Sequence, residues 1–272
     1  MIDRRRVLGL LAAAGILPSR SFAVVAPQRS EIREDLLKHF TDAQTNGTFV
    51  GYKVEEYLVI ASDKVRSGEG RLPASTFKIP NSLIALETGV VEDPDKDVFK
   101  WDGIKRPIEA WNKDHTMRSA IAASAVPVYQ EIARRIGQER MQKYVDLFEY
   151  GNRNIGGGID QFWLTGDLRI DPVQQIDFVD RLRRGVLPIS QRSQDLVRDI
   201  LPVTKVGDAV IRAKSGLLGV ESGNPSLGWM VGWAEKGDAQ TVFALNMDCR
   251  EQRHIAERMT VTQACLRDIG AI

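Results

Sequence analysis

The chain has 272 residues, 43% of them hydrophobic and 27% charged, and its formal net charge at pH 7 is +1. This composition is that of a globular protein, and it excludes a disordered chain, a collagen-like chain and a disulfide-rich miniprotein. A net charge near zero gives no support for sequence-independent binding of nucleic acid, which needs a basic face. The three histidines, His39, His115 and His254, are too far apart in sequence for a histidine-built zinc site. We therefore expect neither nucleic acid nor a metal ion as a partner.

Residues 1–23 have the three-part pattern of a cleavable export signal. Arg4, Arg5 and Arg6 form a basic start, residues 7–17 are apolar and uncharged, and residues 21–23 are of the kind that a signal peptidase cleaves. The apolar run is far shorter than the ~20 residues that a membrane-spanning helix needs. The sequence thus predicts a periplasmic protein with no stable membrane anchor. An uncleaved anchor or a buried first helix is the alternative, and both Sec and twin-arginine export remain open.

The rest of the chain, residues 24–272, is predicted to form one domain with two lobes. Helical spacing of apolar residues appears at residues 32–41, and a pair of strands at 48–53 and 57–61 predicts a hairpin. The middle is mostly helical, with predicted helices at residues 80–86, 128–136, 141–147, 173–184 and 194–201. Three strands follow as an antiparallel meander at residues 209–214, 229–234 and 241–246, and a last helix covers residues 255–269. This order predicts an α+β fold, an antiparallel β-sheet flanked by helices with an inserted helical lobe.

Cys249 and Cys265 are the only cysteines. An oxidising periplasm would permit a disulfide bond between them. Two cysteines in a large domain are more often small buried apolar residues. The spacing alone does not fix whether their Cα atoms come within bonding reach, so the disulfide stays open, with free buried thiols favoured.

The first candidate for chemistry is Ser75-Thr76-Phe77-Lys78. Residues three apart on a helix lie on one face, so Ser75 and Lys78 would meet if a helix starts here. A serine is a weak nucleophile without an adjacent base, and an unprotonated lysine can serve as that base. The same spacing also arises by chance at an ordinary helix start, so it does not decide the function alone.

Two later segments carry further polar and apolar candidates. Lys214-Ser215-Gly216 ends a predicted strand, where a glycine permits close approach of a ligand to the backbone and a lysine and a hydroxyl suit an anionic substrate. Three glycines at residues 156–158 lead into Phe162, Trp163 and Leu164, which are candidates for a cleft wall or for the core. No lysine follows these glycines, so they do not indicate a nucleotide site.

The order of these motifs, with a second serine at Ser124 between the first pair and the late Lys-Ser-Gly, matches the acyl-transfer set of serine β-lactamases and penicillin-binding proteins. Within that set the chain resembles the class D β-lactamases, the oxacillinases, from Thr48 to the C-terminus. The matching segments are PASTFKIP at residues 73–80, WDG at 101–103, SAVPVYQ at 124–130, YGN at 150–152, FWL at 162–164, KSG at 214–216, and the strands at 229–233 and 244–248.

The resemblance implies a role for each matching residue. Ser75 would be acylated by the β-lactam, and Lys78, carboxylated by carbon dioxide or bicarbonate, would be the general base of both half-reactions. Ser124 would relay a proton to the leaving nitrogen, and Trp163 would donate a hydrogen bond to the carbamate. No other cofactor is expected. Near residues 150–163 the only candidates for a separate acidic base are Glu149 and Asp160, and neither matches a class A motif, so no separate glutamate base is predicted.

The resemblance also implies the residues that bind the substrate. Lys214, Ser215, Gly216 and Leu217 would line the substrate strand, with the backbone N–H groups of Ser75 and Leu217 forming the oxyanion hole. Arg258 would bind the substrate carboxylate, with Arg250 as its rival. Supporting positions are Phe77, Val126, Tyr150 and Asn152.

The residues fit this chemistry physically, because carbon dioxide reacts only with a neutral amine and an apolar pocket lowers the pKa of a lysine. Two positions depart from the family pattern: Ser215 stands where threonine is common, and Leu217 where an aromatic residue is frequent. The substrate range is therefore open, as is the choice between monomer and homodimer. The alternatives in function are a DD-peptidase of the penicillin-binding group, and a β-lactam sensor that is acylated without efficient turnover.

Overall fold

A computed structural model of the chain describes residues 29–219 and 226–272. The strands in this part are β1 (Arg29–Ile32), β2 (Gly47–Lys53), β3 (Leu58–Ala61), β4 (Val203–Val206), β5 (Ala209–Leu217), β6 (Leu227–Lys236) and β7 (Ala239–Asp248). The helices are α1 (Lys38–Asp42), α2 (Lys78–Glu87), α3 (Met117–Ala122), α4 (Val126–Ile136), α5 (Gln138–Leu147), α6 (Pro172–Arg184), α7 (Gln191–Ile200) and α8 (Arg253–Asp268). The predicted export signal lies outside the described residues.

The strands form one sheet in the order β1-β3-β2-β7-β6-β5-β4. The predicted hairpin of β2 and β3 and the predicted antiparallel meander of β5, β6 and β7 are confirmed. One pairing departs from the antiparallel prediction, because β1 runs parallel to β3. The sheet is therefore mixed at this edge.

The predicted helix over residues 32–41 is wrong at its start. Ile32 belongs to β1, where it pairs with Ala61, and it is 44% exposed rather than part of a buried helix face. The chain then turns through a short 3₁₀ helix, Glu34–Leu37, before α1. Leu36 and Phe40 are buried. The four-residue spacing therefore located the buried side chains correctly, but Ile32, the first residue of the predicted helix, pairs in the sheet instead.

The inserted helical lobe is confirmed, since α2 to α7 all lie between β3 and β4 in the chain. Local signals explain the start and end of α6: the Asp171 side chain accepts a hydrogen bond from the backbone N–H of Gln174 at 2.7 Å, Pro172 begins the helix, and Gly185 ends it at a φ of +68°. The short α3 and the four-residue β4 were not predicted.

Buried side chains form one cluster on each face of the sheet. Along β6, Trp229, Val231 and Trp233 belong to the cluster under the helical lobe, while Met230 and Ala234 belong to the cluster under α1 and α8. This alternation is the two-residue period expected of a strand buried on both faces. The candidate site lies where β5 meets the start of α2.

Cys249 and Cys265 are free buried thiols in the cluster under α8. The favoured reading of the two cysteines as small buried residues is therefore confirmed. Across residues 29–219 and 226–272, no helix has the length and apolar character needed to cross a membrane.

Candidate active site

Ser75 and Lys78 are in direct contact. Ser75 lies in a 3₁₀ helix, Ala74–Phe77, and Lys78 is the first residue of α2. The Nζ atom of Lys78 donates a hydrogen bond to Ser75 Oγ at 2.8 Å, and the two residues are 1% and 6% exposed. The sequence-predicted nucleophile and base are thus paired in a nearly closed environment.

Backbone and side-chain contacts fix the turn that carries Ser75. Ala74 has a φ of +51°, unusual for a residue with a Cβ atom, and its N–H donates to the carbonyl oxygen of Trp163 at 3.0 Å. The indole N–H of Trp229 donates to the carbonyl oxygen of Leu72 at 2.9 Å. The strained residue before the nucleophile is therefore held from two sides, which fixes the direction of Ser75.

A buried polar chain supports the same turn from α6. Gln175 donates from Nε2 to Thr76 Oγ1 at 2.9 Å, and Thr76 Oγ1 donates to the carbonyl oxygen of Pro73 at 2.7 Å. Tyr150 donates to Gln175 Oε1 at 3.5 Å. Sequence reasoning did not find Thr76 or Gln175, because nothing in the local pattern indicates that α6 reaches this turn.

One aromatic ring contacts Lys78, and three contact its neighbour Phe77. The Phe77 ring contacts the rings of Phe162, Trp163 and Tyr150 at centroid distances of 4.8, 5.5 and 5.6 Å. The centroid of the Tyr129 ring is 5.2 Å from Lys78 Nζ. The buried lysine thus contacts one aromatic ring, and its neighbour Phe77 packs against two of the residues predicted for its pocket, Phe162 and Trp163.

Trp163 is fully buried, and its indole Nε1 has no hydrogen-bond partner among the described residues. An unsatisfied buried donor costs about 1–3 kcal/mol. Such a donor needs an acceptor that the chain itself does not provide here. It fits a small anionic group in the pocket.

A second polar pair lies at the end of β5. Ser124 connects α3 to α4 with a φ of +52°, and Lys214 donates from Nζ to Ser124 Oγ at 3.0 Å and to the carbonyl oxygen of Ser215 at 2.9 Å. Lys214 is 2% exposed. Burial, with a smaller contribution from the positive charge of Arg258, lowers the pKa of Lys214 to about 7.

Gly216 lets β5 approach the turn that carries Ser75. A Cβ atom at this position would lie 3.1 Å from the carbonyl oxygen of Pro73 and 3.2 Å from Thr76 Cγ2. Leu218 donates its N–H to Leu227 in β6, and bonded pairs alternate along an antiparallel ladder. The register therefore leaves the N–H of Leu217 pointing away from β6, on the edge of β5 beyond the residues that pair with β4.

The two candidate arginines have different surroundings. Arg258 is 8% exposed, and it donates from Nε to the carbonyl oxygen of Ile255 at 2.8 Å and from Nη1 to the carbonyl oxygen of Gly216. Its stem fills space that a side chain at Gly228 would occupy. Arg250 has a side chain that is 74% exposed and pairs with Asp248. Arg258 lines the cavity beside Ser75, whereas Arg250 does not.

That cavity has a volume of about 640 Å³. Its described lining residues are Ser75, Ile108, Trp111, Ala123, Ser124, Val126, Gln161, Leu164, Thr165, Ser215, Leu217, Leu218, Gly219, Gln252, Ile255 and Arg258. Arg258 is the single charged side chain in this described lining. The cavity thus combines apolar walls with one positive charge, which suits an organic anion.

Tyr150 and Asn152 lie behind the site rather than in it. Tyr150 is 1% exposed and contacts Phe77. Asn152 is exposed, donates from Nδ2 to the carbonyl oxygen of Asp167 at 2.9 Å, and accepts from the N–H of Arg169 at 2.9 Å. The YGN motif therefore joins two loops, and Asn152 does not line the described cavity.

The two acidic residues considered from the sequence do not line the cavity either. Glu149 is exposed, and Asp160 accepts a hydrogen bond from Arg134 at 2.7 Å. Within the part of the chain that the structure describes, no group of histidine, cysteine and acidic residues is arranged to hold a metal ion. Sequence reasoning missed Tyr129, Ile108 and Trp111, which the fold brings to the site from α4 and from the segment before α3.

Comparisons with known proteins agree with this arrangement. The family model of the penicillin binding protein transpeptidase domain matches residues 40–269. The chain is 42% identical to β-lactamase OXA-5 of Pseudomonas aeruginosa over 86% of this chain and 88% of that protein. It is 41% identical to β-lactamase OXA-48 of Klebsiella pneumoniae over 96% of this chain and 97% of that protein.

Solved structures give the same result for the fold. FUS-1 (OXA-85), a class D β-lactamase from Fusobacterium nucleatum subsp. polymorphum, aligns with a TM-score of 0.83 at 34% identity, over 89% of this chain and 99% of that chain. The class D β-lactamase YbXI from Nostoc aligns with a TM-score of 0.82 at 40% identity, over 87% of this chain and 99% of that chain. The chain therefore belongs to the class D β-lactamases, which are serine hydrolases.

Proposed function

We propose that this chain hydrolyses β-lactam antibiotics through a covalent acyl-enzyme on Ser75, and that it confers resistance to them. The observation that carries the proposal is the 2.8 Å hydrogen bond between Lys78 Nζ and Ser75 Oγ beside the cavity. A serine hydroxyl becomes a good nucleophile when a neighbouring group takes its proton. Relatives that are named as β-lactamases at 42% and 41% identity support this reaction for the chain.

In the acylation step, Ser75 Oγ bonds to the β-lactam carbonyl carbon, and the carbon–nitrogen bond of the ring breaks. The hydroxyl proton leaves toward Lys78, and the departing nitrogen needs a proton in return. Ser124 is the proposed donor of that proton, because Lys214 Nζ donates a hydrogen bond to Ser124 Oγ at 3.0 Å and can resupply the proton. The pKa of Lys214, about 7, favours proton exchange near neutral pH.

We further propose that carbon dioxide carboxylates Lys78. Trp163 Nε1, buried without a partner among the described residues, supplies the donor that a buried carbamate requires. The Ser75 hydroxyl supplies a second donor. When present, the carboxyl group gives Lys78 the basicity that a lysine ammonium lacks.

In the deacylation step, water attacks the ester carbon and the bond to Ser75 Oγ breaks, which releases the ring-opened acid. A separate acidic base has no support from the structure, since Glu149 and Asp160 do not line the cavity. Lys78 is therefore proposed to serve both half-reactions.

Two further contacts are proposed for the substrate. The N–H groups of Ser75 and Leu217 would donate to the developing oxyanion. Arg258 would bind the substrate carboxylate, since its guanidinium lines the cavity while that of Arg250 does not. The apolar wall of Leu217 and Leu218 would contact the substrate side chain.

The test is hydrolysis of a chromogenic cephalosporin by the purified protein, with and without added bicarbonate, beside Ser75→Ala. We expect repeated turnover that bicarbonate increases, and no turnover by Ser75→Ala. A single stoichiometric burst, with a permanent acyl adduct on Ser75 in the intact mass, would instead indicate a sensor or a DD-peptidase-type penicillin-binding protein.

We also propose that the protein is exported to the periplasm after cleavage near Ala23. The support is the sequence pattern of residues 1–23, which lie outside the described residues. N-terminal sequencing of periplasmic protein should give a start near Val24. A full-length chain retained in the inner membrane would contradict this proposal.

A further inference from the structure

Tyr129 contacts the proposed base and has no part in the steps above. It lies on α4, is completely buried, and presents its ring 5.2 Å from Lys78 Nζ. This distance is within the ~6 Å over which a cation is attracted to an aromatic ring. The contact therefore acts on the one lysine whose chemical state decides the proposed mechanism.

The ring is held at both ends by the helix that carries Lys78. Ser82 donates its hydroxyl proton to the carbonyl oxygen of Lys78 at 2.7 Å, and the Tyr129 hydroxyl donates to Ser82 Oγ at 2.8 Å. Asn81 donates from Nδ2 to the carbonyl oxygen of Tyr129 at 3.2 Å. These contacts fix the ring relative to the backbone of α2, and the hydrogen bond from Lys78 Nζ to Ser75 Oγ holds the amine.

This placement favours one form of the lysine over the other. The face of an aromatic ring carries partial negative charge, so it attracts an ammonium group and gives nothing comparable to a neutral amine or to an anionic carbamate. In a buried site this attraction is stronger than at the surface. The Tyr129 ring therefore stabilises Lys78 before carboxylation and not after it.

We infer that Tyr129 is a positioning residue that holds the uncarboxylated ammonium of Lys78 beside Ser75 and thereby sets the bicarbonate concentration at which the lysine becomes carboxylated. The inference rests on the proposed carboxylation. In that step the ammonium first loses a proton to solvent. The amine nitrogen then bonds to the carbon of carbon dioxide, and a second proton leaves the nitrogen.

The test replaces Tyr129 with phenylalanine and then with phenylalanines that carry increasing numbers of fluorine atoms. Fluorine withdraws charge from the ring face while it changes the ring shape little. Carbamate occupancy is read by ¹³C NMR during titration with labelled bicarbonate at fixed pH, which does not depend on turnover. From Tyr129→Phe to the pentafluoro ring, we expect the half-saturating bicarbonate concentration to fall about three- to tenfold.

Tyr144 provides the matched control, because the ring of this partly buried tyrosine lies 5.7 Å from Lys143 Nζ and does not line the active-site cavity. The same replacements at Tyr144 should leave the titration unchanged. A half-saturating concentration that stays constant or rises with fluorination at Tyr129 would overturn the inference and leave the proposed function intact. Absence of any carbamate in the active wild type would overturn both the inference and the carboxylation proposal.

Discussion

Two buried lysines in one site have opposite surroundings. Lys78 is 1% exposed, contacts the Ser75 hydroxyl and the Tyr129 ring, and lies next to the aromatic cluster around Phe77. Lys214 is 2% exposed and donates to oxygen atoms of Ser124 and Ser215, with the charge of Arg258 nearby. Burial is the same for both, so the neighbours decide what each lysine does.

The difference separates two chemical tasks. Trp163 stacks on Phe77, the neighbour of Lys78, and its indole N–H has no partner among the described residues. We propose that this donor serves a carbamate on Lys78. The surroundings of Lys214 offer hydroxyl groups that accept and relay protons, and a nearby positive charge that favours the neutral amine. We therefore propose that Lys78 acts as the base and that Lys214 moves protons.

The largest expected effect comes from Lys78→Ala. We expect kcat/KM for penicillins to fall by about 10³-fold or more, since general-base catalysis is worth ~10² to 10⁴. Because both half-reactions lose their base, the acyl-enzyme on Ser75 should accumulate and be visible in the intact mass. The control is Lys205→Ala, which removes an exposed lysine on β4. Normal turnover by Lys78→Ala would show that Lys78 is not the general base.

Lys214→Met should lower kcat/KM by about 10²-fold, which is the lower end of the effect of a proton-transfer group. Methionine keeps most of the stem and removes the amine, so packing is largely retained. Unlike Lys78→Ala, this variant should slow acylation without trapping the acyl-enzyme. Rapid-mixing kinetics separate the two steps, and an accumulated adduct would contradict the division of tasks.

The same variant should also change how stability depends on pH. The pKa of Lys214 is about 7 in the folded protein, and about 10.4 is usual for an exposed lysine. Between these values the unfolded chain binds more protons, so this residue makes the free energy of unfolding rise with pH. Urea unfolding at pH 7, 8 and 9 should show that rise in the wild type relative to Lys214→Met. Parallel pH dependences in the two proteins would rule out the lowered pKa.

Arg258→Ala should raise KM for penicillins by roughly 10- to 100-fold, the worth of a hydrogen bond to a charged group. We expect a smaller change in kcat, because the contact is made to a part of the substrate that does not react. Arg250→Ala is the matched control and should leave KM unchanged, since its side chain is largely exposed. If Arg250→Ala raises KM and Arg258→Ala does not, Arg250 binds the substrate carboxylate.

Trp163→Phe should give the smallest loss, about tenfold in kcat without added bicarbonate, because the ring packing is kept and one hydrogen bond is lost. Added bicarbonate should restore most of this activity by mass action, and none of the activity of Lys78→Ala. Trp233→Phe is the control, because its N–H donates to Glu235, a residue that does not line the active-site cavity. If added bicarbonate does not restore the activity of Trp163→Phe, Trp163 does not stabilise the carbamate.

The sequence predicted the elements whose periodicity is strong. The two-residue period of β5, β6 and β7 and the apolar spacing of the helical lobe located most of the fold. The edge strands β1 and β4 were missed because each has four residues, none of which is buried. Their existence depends on pairing with β3 and β5, which a local pattern does not contain.

The parts of the site that local motifs form were predictable from the sequence. The parts that depend on tertiary packing were not. The spacing of Ser75 and Lys78 on one turn is local, so the contact followed from the sequence. The positive φ values of Ala74 and Ser124 did not, since neither residue type signals that conformation. Tyr129 and Gln175 reach the site from α4 and α6, and only the packed structure shows that contact.

We propose that Lys78 carries the carbamate and that Lys214 does not. The direct measurement is ¹³C NMR of the active protein in labelled bicarbonate, with Lys78→Ala and Lys214→Met beside it. We predict one carbamate signal in the wild type that persists in Lys214→Met and is absent from Lys78→Ala. No signal in active wild type, or a signal that survives Lys78→Ala, would show that Lys78 is not the carboxylated base.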